Sequence, residues 1–263
     1  MPLSDRQIDA NRLVREVVHN ELQAEIGDQT YWRYRDLKEK NGRKELRDVF
    51  ETKYGQLDHL VSVNDQPLTS KQAQMEDERI DKLLAEPEKR HKQQEQRDRE
   101  GEDERNLLKL LPDVFRYQYD GTTGNLIKLT FTPNPNFHSY NRQTKVLHYI
   151  NGGMWIDRKQ GRLARIDGYL TADVRFGGGL LGQLDKGGTF SVILEDVGSG
   201  HWAMTLLDIR MNGSALIFKT IALQEKELYT NYQPIPAGMT LQQAAQILKK
   251  DAHSSENAAI RGN

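Results

Sequence analysis

Few residue groups in this chain have the types and spacing that chemistry needs. Gly177-Gly178-Gly179-Leu180-Leu181-Gly182 matches the glycine pattern of a dinucleotide loop. That loop works only where a helix starts inside it and turns its amino terminus toward a pyrophosphate. Here Gln183-Leu184-Asp185-Lys186-Gly187-Gly188 follows, which cannot sustain a helix, so the segment reads as a flexible turn between strands or as a hinge at a cavity entrance. The seven histidines are dispersed, with no HxxxH or HExxH pair, and no metal site is predicted. Ser199 lies in Gly198-Ser199-Gly200, where turn chemistry accounts for it, and no Gly-x-Ser-x-Gly elbow occurs. Glu195 and Asp196 are neighbours in a strand, so they point to opposite faces and cannot form an acid pair by themselves. The chain is therefore read as non-enzymatic, with no cofactor.

Bulk properties narrow the partners. The 263 residues carry 37 basic and 38 acidic side chains, a net charge of -1. So even a balance gives no field for steering nucleic acid, which is excluded as a partner. There is no cysteine, which removes disulfides, thiol nucleophiles and cysteine metal sites. No stretch reaches the roughly 20 apolar residues of a membrane helix. Met1 to Ala10 has no apolar core of the secretory kind, which leaves open a cytoplasmic location or an envelope location with a signal sequence removed.

The elements that would position a site follow from periodicity. Residues 4 to 26 form an amphipathic helix, with Ser4 and Gln7 as a capping box and Val14, Val18, Leu22 and Ile26 on one stripe. Asn41-Gly42 joins strands Tyr31 to Lys40 and Arg43 to Thr52 in a hairpin, and Leu57 to Val63 follows. Between Lys71 and Arg105 the chain holds 9 basic and 12 acidic residues. Residues 69–111 thus read as a charged helical insertion of two helices, capped by Thr69 and Gln72 and interrupted at Pro87. It is anchored only at its outer ends (Met75, Ile80, Leu83 and Leu84, then Leu107, Leu108, Leu110 and Leu111) and otherwise largely exposed. Strands then run to about residue 233: Phe115 to Tyr119, Ile127 to Phe131, Val146 to Ile150, Met154 to Asp157, Leu163 to Phe176, Thr189 to Val197, Trp202 to Met211, Leu216 to Ala222 and Leu228 to Gln233. A short helix, Thr240 to Lys250, capped by Thr240 and Gln243, closes the fold, and 252–263 is expected to be a flexible tail.

Several late strands are apolar on both faces. Trp202, Met204 and Leu206 point one way, and the phase then switches at Leu207, Ile209 and Met211. A sheet with one wet face does not carry such a pattern. Either this is plain core with a bulge near Leu206, or the second face encloses an apolar cavity. In the second case the lining comes from Tyr117, Tyr119, Ile127, Leu129, Phe131, Trp155, Trp202 and Met204. Which face looks inward depends on register, since a one-residue shift reverses it.

The run Trp155-Ile156-Asp157 through Gly161-Arg162-Leu163-Ala164-Arg165-Ile166 resembles the central hairpin of bacterial outer-membrane lipoprotein-sorting proteins, the LolA/LolB-like superfamily. The N-terminal helix followed by strands is similar too, over most of residues 4–235 apart from the charged insertion. The resemblance implies an α+β fold in a single domain over 1–263, a strongly curved antiparallel sheet (an unclosed barrel) whose concave face holds acyl chains, and a periplasmic or envelope location. The expected function is thus non-enzymatic binding of lipid or lipoprotein acyl chains. The alternative is an interaction or scaffold protein that uses residues 69–111 to recruit a protein partner, with a solid core and no ligand.

Overall fold

The computed structural model describes residues 9–139, 141–176, 182–198, 200–215 and 224–261. The fold is α+β, as expected: five helices accompany an antiparallel sheet of eleven strands that does not close into a barrel. Where the sequence predicts one domain, the chain divides into two compact units, Met1–Asp28 with Glu104–Lys226 and Gln29–Asp103 with Glu227–Asn263. Among the described residues no helix is long and apolar enough to cross a membrane.

The first unit starts with α1 (Ala10–Gly27), whose N-cap is Asp9, accepting from the Arg12 backbone N–H at 3.0 Å. The expected Ser4 and Gln7 cap lies outside the described residues. The helix lies on strands β5 (Phe115–Thr123), β6 (Leu126–Pro133), β7 (Ile150–Asp157) and β8 (Arg162–Leu170), which neighbour one another in that order and continue into β11 (Thr189–Asp196) and β12 (Trp202–Arg210). Val14, Val17 and Val18 of α1 are buried against Tyr117, Ile127, Leu129, Phe131, Met154 and Ile156. Register sets these strand residues on one face: Ile127 pairs with Ile156, Leu129 with Met154, and Phe131 with Gly152. Gly152 is required there, since a Cβ would meet the Phe131 ring at 2.5 Å and the Asp167 carbonyl oxygen at 1.9 Å. Ile26, at the end of the expected stripe, is 76% exposed.

The second half of α1 is tied to β8 by polar groups. Glu21 accepts a fork from Arg162 at 2.9 and 2.8 Å and also the Leu163 backbone N–H at 2.7 Å. Asn20 donates to the Gly161 carbonyl at 3.0 Å.

Two local expectations needed correction. Val146 to Ile150 is not a strand. Asn141 and Thr144 form a capping box that starts helix α4 (Arg142–Leu147), and β7 begins only at Ile150. The run from Leu163 to Phe176 breaks after Leu170, and its end, β9 (Val174–Phe176), joins a separate sheet with β10 (Gly182–Leu184) and β13 (Gly213–Ala215), in the order β13-β10-β9. The bulge near Leu206, one of the two readings of the phase switch in β12, is present: Leu206 pairs with Ile193 but Met204 with Leu194, which leaves Thr205 as the extra residue. The expected strand Leu216 to Ala222, most of the glycine run from Gly177, and Ser199 lie outside the described residues.

The second unit contains β1 (Tyr31–Lys40), β2 (Arg43–Thr52), β3 (Gly55–Val63) and β4 (Gln66–Pro67), in the order β4-β3-β2-β1, with the larger part of β14 (Gln224–Ile235). Asn41 and Gly42 have φ of 52° and 76°, the positive values that the hairpin turn demands. Helix α2 (Ser70–Ala85) carries the predicted Thr69 and Gln72 capping box, and α3 (Pro87–Val114) begins at the predicted break. Helix α5 (Leu241–Arg261) starts at the Thr240 and Gln243 pair and continues through the segment expected to be a flexible tail.

The insertion is not uniformly peripheral. Ile80 and Leu83 of α2 are buried in a core with Phe50, Leu57, Leu241, Ala244, Ala245 and Leu248. One face of α2 is therefore part of the second unit's core, while its other face and the following stretch of α3 are exposed.

Candidate functional site

The eight residues expected to line a cavity fall on both faces of the sheet. Tyr117, Ile127, Leu129 and Phe131 are buried in the core of the first unit at 5, 9, 0 and 2% exposure, and Tyr119 packs partly against it. The Tyr117 hydroxyl donates to the Leu111 carbonyl at 2.9 Å, and burial pushes its pKa well above the ordinary tyrosine range. Trp155 pairs with Lys128, one residue out of phase with Ile127 and Leu129, and so takes the other sheet face, where Lys128 and Arg165 sit over its ring at 5.7 and 5.0 Å. Trp202 donates to the Gln160 side chain at 2.8 Å beneath the Arg162 guanidinium. Met204 is half-buried. Two surface cavities, of about 400 and 450 Å³, are lined by none of the eight.

Among the described residues, a dense group of shifted titratable side chains lies in the second unit. Alternation on β1 puts Trp32, Tyr34, Asp36 and Lys38 on one side. Register across β2 adds Glu51 and Arg47, and β3 adds Gln56 and Asp58. Tyr229 and Tyr232 come from β14. Tyr34 stacks on Tyr232 at 5.0 Å and meets Tyr229 edge-on at 5.9 Å, while Trp32 meets Tyr232 edge-on at 5.9 Å. The Tyr34 hydroxyl donates to Glu51 at 2.8 Å and accepts from Gln56 at 3.4 Å. Glu227 accepts from both Lys38 and the Tyr229 hydroxyl.

Burial raises the pKa of Tyr34, Tyr229 and Tyr232, and neighbouring carboxylates raise it further. A phenol so disposed stays protonated at neutral pH and can donate a hydrogen bond, but it cannot serve as a base or nucleophile. Glu51 is exposed by area, yet loss of surrounding water raises its pKa against the lowering effect of the Tyr34 hydrogen bond and the Arg97 charge. His59 sits in the unit's interior at 2% exposure, with Nε2 3.4 Å from Asp77 and Nδ1 without a hydrogen-bond partner. Among the described residues no three histidine or acidic side chains could hold a metal ion. The arrangement orders aromatic rings and fixed hydrogen bonds; it assembles no activated nucleophile.

Asp36 is the group in this set with a measurable consequence. Its Oδ1 is buried without a donor. Burial, helped by Glu227 and Asp58 and opposed by Lys38 and Arg47, pushes its pKa from 3.8 up to about 7. The folded state therefore binds more protons than the unfolded chain between about pH 4 and 7. The stability that Asp36 contributes is complete below pH 4 and is lost as pH rises through about 7. Asp36→Asn mimics the protonated form. It should match the wild type near pH 3 and exceed it at pH 8 by roughly 2–3 kcal/mol, the full shift being discounted for remaining solvent contact. Urea denaturation at the two pH values measures this, and an equal difference at both would remove the assignment.

Comparison of the chain with protein-family models, with curated proteins and with solved structures returns no match. The functional reading therefore rests on the geometry and on the sequence resemblance alone.

Proposed function

We propose that this chain is a non-enzymatic interaction protein that recruits a partner through the outward face of α3, not a carrier with an acyl chain in an internal cavity. The observation that carries the proposal is the fate of the two surfaces on which the alternatives depend. The apolar strand residues expected to hold an acyl chain are consumed by packing against α1, with Leu129 fully buried. In α3, by contrast, Glu88, Lys89, His91, Lys92, Glu95, Asp98 and Arg99 are exposed.

The underside of this stretch is held by polar contacts instead of apolar ones. Arg90 donates to the Leu83 and Leu84 carbonyls at the end of α2, and Gln94 and Arg97 lie against Gly55. A helix fixed in this way presents a defined pattern of both charge signs, which favours recognition that is specific and sensitive to salt. An envelope location, implied by the resemblance to lipoprotein-sorting proteins, belongs to the same proposal.

Two measurements on protein from the envelope fraction of its own cells test it. Native mass spectrometry should give the mass of the bare chain; one co-purifying acyl lipid per chain would restore the carrier reading. A photo-crosslinker at Gln93 or Gln96 should capture a partner at about 50 mM salt and lose it at about 500 mM, where charges are screened beyond a few ångströms. The same probe at Lys159 should capture nothing. Equal capture at both positions would exclude α3 as the docking element.

A further inference from the structure

The cavity of about 400 Å³ in the first unit is lined mainly by nitrogen-rich polar side chains. Its wall includes Asn11 and Arg15 from α1, Asp113 from the end of α3, Arg116 from β5, and Asn134 and Asn136 from the segment after β6. Asn11 and Arg15 are four residues apart, so the helix presents both on one face. We propose that this cavity binds a small molecule bearing an oxyanion, either a carboxylate or a phosphate.

Three observations support the assignment. The first is charge: two guanidinium groups and one carboxylate line the cavity, leaving a net positive wall. Arg15 and Asp113 form an exposed ion pair at 3.6 Å, so the net positive charge of the wall rests on Arg116. The second is preorganisation. The Asn134 side-chain oxygen accepts from Arg116 Nε at 3.3 Å and from the Asn136 backbone N–H at 3.1 Å, while its amide donates to the Asp113 carbonyl at 2.8 Å. This fixes Arg116 through Nε and leaves its two Nη groups without a partner among the described residues, the edge that a carboxylate or phosphate takes in a two-point contact.

The third concerns Asn11. Its oxygen is occupied by the Tyr117 backbone N–H at 3.3 Å, so the side-chain amide lining the cavity offers its donor end. Guanidinium and amide donors thus line a space large enough for a small organic anion, with Asp113 as the one acidic side chain in its wall. The site is independent of the partner surface on α3, and neither proposal needs the other.

Nitrogen-15 NMR titration of the full chain at low ionic strength tests the assignment, with inorganic phosphate in one arm and succinate in the other. The expected result is saturable shifts at the Asn11 and Asn136 side-chain amides and at Arg116 Nε, with a Kd of about 10 mM or tighter in at least one arm. Saturation by phosphate alone identifies a phosphate ester as the ligand class, and saturation by succinate alone a carboxylic acid. Arg116→Gln should weaken binding at least about tenfold. Arg12→Gln, on the same helix but outside the cavity and facing Glu16 at 3.5 Å, should leave it unchanged. Failure of both probes to saturate below about 10 mM, or an equal loss in the Arg12 variant, overturns the proposal, the latter because it would show only general attraction to a basic surface.

Discussion

Leu129→Glu is expected to abolish cooperative folding of the first unit, and Leu129→Ala to destabilise it by about 2–5 kcal/mol. Leu129 is fully buried and lies in the same core as Phe131, Ile127 and the α1 valines. The alanine leaves a cavity that neighbouring strands, fixed by their hydrogen-bond ladders, close only partly. The glutamate is worse: a carboxylate placed there has no partner and must be buried protonated or force the helix away from the sheet. Chemical denaturation followed by circular dichroism reads both effects. This experiment also tests the choice between carrier and interaction protein. On an open, ligand-holding face the same glutamate leaves the fold intact and removes only binding, so a native-like transition for Leu129→Glu would return the cavity reading.

The second large effect is expected at Glu21. Its carboxylate is 10% exposed and serves three donors, two from Arg162 and one from the Leu163 backbone. Removing it in Glu21→Ala leaves the guanidinium of Arg162, 14% exposed, without its counter-charge and a backbone N–H without its acceptor. Breaking one half of such a pair costs about 3–5 kcal/mol, far more than a surface ion pair is worth. Glu21→Gln keeps an acceptor for Leu163 and should lose about half as much. A loss below about 1 kcal/mol in the alanine variant would show that water replaces the carboxylate, and that α1 is held chiefly by its apolar face.

The parts of the fold that were legible beforehand are those whose causes are local. Asn41-Gly42 specifies a hairpin because both residues must take positive φ, and Thr69 with Gln72 or Thr240 with Gln243 starts a helix by satisfying backbone donors three residues away. The miss at Val146 to Ile150 was of the same local kind: Asn141 and Thr144 carry a capping signal that a short apolar run overshadowed. The site was less legible. Tyr34 and Tyr232 are 198 residues apart, and neither strand alone announces that their rings stack. The cavity at Asn11, Arg116 and Asn134 likewise draws on three separate elements, none of which has a motif.

From the sequence alone came the alternation of Phe115, Tyr117 and Tyr119 and of Ile127, Leu129 and Phe131, the amphipathic stripe of α1, the breaks at Pro87 and after Gly27, and the absence of any linear catalytic motif. Side-chain period and backbone hydrogen-bonding needs set these within a few residues. Only the tertiary structure decided that α1 fills the apolar face of β5 to β8, so that Leu129 is core and not lining, and that Trp155 lies on the opposite face beneath Lys128 and Arg165. It also decided that Ile80 and Leu83 bind the charged insertion into the second unit's core. The physical reason is that a strand's pattern fixes which residues share a face but not what covers it. Cover is chosen by packing between segments distant in sequence, where burial of apolar area outweighs any local preference.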